Sequence, residues 1–93
     1  MNISVVNRNI ARLKELLALP STDINWQNTF KSADEVIERL TYLETEIAKN
    51  DNKAIKELIF LLAPTGDLQE ISISSGWGYE FLGIAEALEK ALS

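Results

Sequence analysis

The chain has 93 residues, 46% of them hydrophobic and 25% charged, which suffices for one small soluble domain with a modest core. Nine Lys and Arg stand against fourteen Asp and Glu, a net charge of -5, so the chain repels phosphate backbones and anionic lipid heads. Neither nucleic acid nor a membrane is expected as a partner. Cys and His are both absent, which excludes disulfides, thiol nucleophiles and thiolate or imidazole metal sites and removes the commonest general base.

Packing alone must therefore hold the fold, and the lack of disulfides fits a cytoplasmic protein. The longest apolar run, Leu58 to Ala63, is six residues against the roughly 20 of a membrane span. Arg8, Arg12 and Lys14 precede the first acid, Glu15, a charge pattern shared with transit peptides, but the regular apolar stripe around them reads as a first structural helix.

That stripe is Ile3, Val6, Ile10, Leu13 and Leu17, widened by Val5, Leu16 and Leu19, and it predicts a helix over about 3–18, ended ahead of Pro20. Residues 20–31, PSTDINWQNTFK, carry the types that compete with regular backbone bonding and read as a loop. One helical turn within it would point Trp26 and Phe30 the same way. Ser32-Ala33-Asp34-Glu35 is a capping box that opens a second helix over 33–49. Val36, Leu40, Leu43 and Ile47 are its core, and Glu35 is placed to pair with Arg39.

Asn50-Asp51-Asn52 supplies a tight turn and a new N-cap, so the third helix, 52–62, is expected antiparallel to the second. Its stripe reads as Ile55, Leu58, Ile59 and Leu62. Phe60 and Leu61 make its second half apolar all round, the mark of deep burial or of an oligomer contact. After Pro64-Thr65-Gly66, the run Asp67-Leu68-Gln69-Glu70 fits an acidic capping box leading a short helix over 67–74. A strand is the rival there, because Ile71 and Ile73 alternate with Ser72 and Ser74, but a lone strand has nothing to pair with. Phe81, Ile84, Ala85, Leu88 and Leu92 then give a helix over 79–92, with Gly78 as N-cap and Trp77 stapled onto Leu82. The expected fold is all-α, a four- to five-helix bundle forming a single domain over 1–93.

Charge is spread unevenly. Residues 1–20 hold three basic groups and one acid, whereas residues 64–93 hold one basic group and five acids. The acidic exteriors can steer a basic partner or simply keep the domain dissolved. Trp26, Phe30, Trp77, Tyr79 and Glu80 are the candidate protein interface, since Trp and Tyr anchor contacts most often; plugging the bundle ends is the competing role for the two tryptophans. Asp67, Gln69 and Glu70 form a candidate polar loop, though capping explains the two acids without any metal or catalysis. Ser72, Ser74 and Ser75 have no base to activate them. No catalytic residue, metal site or cofactor is expected. Three functions fit: a non-enzymatic acidic interaction or accessory module, including an inhibitor- or immunity-type protein against a basic partner; a small-molecule pocket near Trp77 and Glu70; or a structural subunit, with a homodimer possible through Phe60 and Leu61.

Overall fold

A computed structural model describes all residues, 1–93. Five helices follow one another: α1 Ile3–Leu17, α2 Ala33–Ala48, α3 Asn52–Leu62, α4 Asp67–Ser75 and α5 Gly78–Leu92. Each lies within a residue of its expected bounds, the all-α bundle is as expected, and residues 67–75 are helix rather than strand. No helix is long and apolar enough to cross a membrane.

The stripes of α1, α2 and α5 turn inward as their spacing requires, and 22 buried apolar residues form one contiguous core. α1 packs on both α2 and α5, α2 on α3, and α4 bridges α3 and α5. The ring closes at the termini, where the Asn2 amide donates to the Ala91 carbonyl at 2.9 Å. Three ion pairs tie neighbouring helices across the surface. Lys14 meets Glu44 at 3.1 Å between α1 and α2, Arg39 grips Glu57 between α2 and α3, and Arg12 grips Glu80 between α1 and α5. Arg39 thus takes its partner from α3, not Glu35 one turn away, because the bidentate fork outcompetes a flexible pair on one exposed face.

Helix ends follow the local chemistry. Ser32 Oγ accepts from the Glu35 amide at 3.2 Å, and the Glu35 carboxylate reaches back to the Lys31 amide at 3.3 Å. Ser32→Ala is expected to lower stability by about 1 kcal/mol in urea unfolding, the usual cost of a lost cap, without changing the fold. At the end of α2, Asn50 adopts a left-handed φ of 63°. Its amide donates to the Ile47 carbonyl and the Asp51 amide to Glu46, a Schellman turn that hands the chain directly to Asp51, whose carboxylate caps the Lys53 amide of α3.

Helix α3 is rotated relative to its expected stripe. Ala54, Leu58, Leu61 and Leu62 are buried, Ile55 only partly, while Ile59 is 41% and Phe60 73% exposed. Leu61 therefore belongs to the core and is no oligomer contact. Phe60 alone of that expected pair faces outward. After α3, Gly66 enters α4 under steric necessity, since a Cβ there would lie 2.9 to 3.1 Å from the carbonyl oxygens of Leu61, Ala63 and Phe60. Gly66, not Asp67, is the N-cap of α4, and no side chain caps this end. Asp67 and Glu70 instead lie in the first turn, where the helix dipole favours negative charge.

The loop between α1 and α2 is built around Gln27, which is 92% buried. Its Nε2 donates to the carbonyls of Ile24 and Phe30 at 2.8 and 2.7 Å, and its Oε1 accepts from the amides of Thr29 and Phe30 at 2.9 and 2.8 Å; the residue's exposure is 8%. Ser75 of α4 fastens the same loop by accepting from the Asp23 amide at 2.7 Å. The loop contains no helical turn that aligns its two rings. Phe30 packs partly against the core, and Trp26 projects 72% exposed.

Candidate functional site

Helices α4 and α5 are joined by a tight turn and pack on each other, and their outer faces line a groove. The turn is a second Schellman motif: Gly76 takes the left-handed φ of 88°, its amide donates to Ile73, and the Trp77 amide donates to Ser72 at 3.0 Å. Trp77 thereby becomes the N-cap of α5 and is 7% exposed, while Leu82 is 53% exposed. The expected staple is absent, because the αL turn starts α5 at Gly78 and rotates Trp77 inward, away from Leu82. Trp77 plugs the core and is not an interface anchor.

The groove has two facing walls. Gln69, Ser72 and Ile73 lie at i, i+3 and i+4 on α4 with Gly76 at its C-terminal turn, and Tyr79 and Leu82 line the other side on α5. They enclose about 330 Å³. A smaller neighbouring hollow of about 200 Å³ shares Gln69 and Leu82 with the first and is lined further along by Pro64, Ala85, Glu86 and Glu89. The two sections differ in chemistry. The end near the turn is apolar, with Ile73, Tyr79 and Leu82 respectively 65%, 94% and 53% exposed. The far end is edged by carboxylates.

Small residues line the apolar section. Ser72 is fully buried and spends its hydroxyl on the Gln69 carbonyl at 2.7 Å, so it offers only a low surface. Gly76 and Gly78 add no side chains, and backbone can approach them closely. Midway along the groove, the Gln69 side-chain oxygen is buried and accepts no hydrogen bond. The Trp77 indole N–H is likewise buried without an acceptor. Buried polar atoms are usually paired, so these two are exceptions in the packing beneath the groove.

Of the expected interface residues, the structure gathers only part. Tyr79 is in the groove. Trp26 is exposed on the α1–α2 loop, outside the groove lining, and Phe30 is half-buried in a separate shallow hollow with Glu35, Glu38 and Tyr42. Glu80 is engaged by Arg12, with contacts of 2.5 and 3.0 Å, and those hydrogen bonds, followed by the attraction between the charges, hold its carboxyl below the usual carboxylate range. It acts as a clasp between α1 and α5 and is not free for a partner. Of the expected polar loop, Gln69 lines the groove while Asp67 and Glu70 do not, and Trp77, expected with Glu70 beside a small-molecule pocket, does not line it either. The pattern singles out Leu82 only as a staple partner and gives Ile73 no role at a site, and only the packing of α4 on α5 brings the two together. The chain matches no family model, no curated protein and no solved structure.

Proposed function

We propose that this chain is a non-enzymatic protein-interaction module whose contact surface is the α4–α5 groove. The observation that carries this reading is the concentration of three outward-facing large apolar side chains, Ile73, Tyr79 and Leu82, around one concavity. Scattered single exposed apolar residues are ordinary on a small protein, whereas several converging on one groove mark a binding surface. Tyr79 is the anchor, since it presents a large amphipathic ring at low entropic cost on a rigid first helical turn. The fixed Schellman turn and the buried Trp77 hold both walls in place, so little ordering is needed on binding.

A test places a photo-crosslinking amino acid at Ile73 and, as a control, at Thr45 of α2, which touches neither α4 nor α5. Crosslinking in cells is expected to give one defined protein adduct from position 73 and none from 45. Tyr79→Ser should abolish that adduct while leaving the unfolding midpoint unchanged, because the ring it removes is 94% exposed. Equal adducts from both positions, or an adduct indifferent to Tyr79→Ser, would remove the groove from consideration.

A further inference from the structure

We infer that the partner element held in this groove is an amphipathic helix with apolar side chains at one end and Lys or Arg about seven residues, two turns, further along the same face. The inference rests on the groove being a protein-binding surface and names what occupies it. The first argument is shape. The groove lies between two packed helices, one wall the i, i+3, i+4 stripe Gln69, Ser72 and Ile73 of α4, and a packed helix pair accepts a third helix along its seam when the floor is low. Ser72, Gly76 and Gly78 make it low.

The second argument is the change of character along α5. Tyr79 and Leu82 open the stripe, and Glu86 and Glu89 continue it at the same helical phase. From Leu82 to Glu89 the helix rises about 10 Å, so a helical occupant lying along the groove meets apolar surface first and carboxylates two turns later. These carboxylates are available. Glu89 makes no ion pair, and Glu86 has only an exposed i, i+4 contact with Lys90 at 3.1 Å, whereas Glu80 is committed to Arg12. A basic side chain therefore gains attraction at this end without breaking a link between helices.

The probe is a labelled helical peptide of roughly 18 residues with a Leu cluster and a Lys cluster about seven residues apart on one face. Two controls accompany it, one with Glu in place of Lys, the other of identical composition with the lysines on the opposite face. Binding is read by anisotropy, and its location by amide shifts. The Lys probe is expected to move the amides of Gln69, Ile73, Tyr79 and Leu82 and to bind about tenfold more tightly than either control, a preference that shrinks in high salt. Glu86→Lys combined with Glu89→Lys, both surface changes, should transfer the preference to the Glu peptide. If all three peptides bind the groove equally, or only a non-helical peptide does, the helix-and-charge inference fails while the interaction reading stands. If no peptide shifts the groove, the inference fails as well, and the crosslinking result decides the reading separately.

Discussion

Leu58→Ala is expected to destabilise the protein by about 2–5 kcal/mol, whereas Phe60→Ala, two residues along the same helix, should change stability by less than about 0.5 kcal/mol. Leu58 is completely buried and Phe60 is 73% exposed. Truncating Leu58 removes apolar contacts and leaves a cavity among helices that can close only partly; truncating Phe60 removes a ring already largely in water. A domain of this size is worth roughly 5–14 kcal/mol in total, so the first change consumes a large share of it. Urea unfolding of the two variants checks this, with unchanged slopes required if both remain two-state. Comparable losses at the two positions would show that α3 presents a different face to the core.

The contrast bears on why the phase of α3 was not legible in its sequence. In α1, α2 and α5, charged residues alternate with the apolar stripe, and that polarity difference fixes which face turns inward. Residues 58–62 of α3 are all large and apolar, so the run carries no such contrast. The decisive neighbour is Ala54, buried one turn before Leu58 and too small to stand out as a core residue. Ala54, Leu58, Leu61 and Leu62 form the real stripe, at steps of four, three and one. Helix boundaries were more legible than helix phase, because caps are local. The Ser32 and Asp51 caps are written in three or four residues, and both form as their spacing requires.

The candidate site was legible only in fragments, for a related reason. Tyr79 and Gln69 belong to it, but the groove depends on how α4 meets α5, and this is set by the left-handed Gly76. Moving the start of α5 by a single residue, from 79 to 78, is accompanied by Trp77 facing inward and Leu82 facing out. Trp77 was thus an ambiguous signal, since an aromatic beside glycines serves equally well as plug or anchor. Ile73 carried no signal at all. Its neighbours Ile71 and Ser72 are both buried, and exposure at 73 follows from helical rather than strand periodicity.

The α1–α2 loop was legible as a loop but not as an ordered one, and its order rests on Gln27. Gln27→Ala is expected to cost about 2–3 kcal/mol, since it strands two amides and two carbonyls that the side chain now satisfies, each costly to leave unpaired unless water reaches them. Hydration of the loosened loop limits the loss, and its signature is local: amide exchange at Thr29 and Phe30 should approach that of an open chain, while the buried amides of α2 stay protected. Gln27→Glu separates the donor role from the acceptor role. A carboxylate keeps the acceptor for Thr29 and Phe30 but turns a second oxygen toward the carbonyls of Ile24 and Phe30, where burial and repulsion disfavour its charge. The two amide hydrogen bonds favour the charge, but burial and two facing carbonyls oppose it, and the folded-state pKa is expected to rise above the unfolded value of about 4.3. A raised carboxyl pKa means that the protonated form is the one the fold prefers, so the deficit relative to wild type is largest near neutral pH. The deficit shrinks as pH falls through the raised value, with full recovery of that contribution only below the unfolded pKa. Urea unfolding of both proteins at about pH 7 and about pH 4 reads this directly. A deficit of the same size at both pH values would show that burial and the facing carbonyls do not penalise a charge at this position.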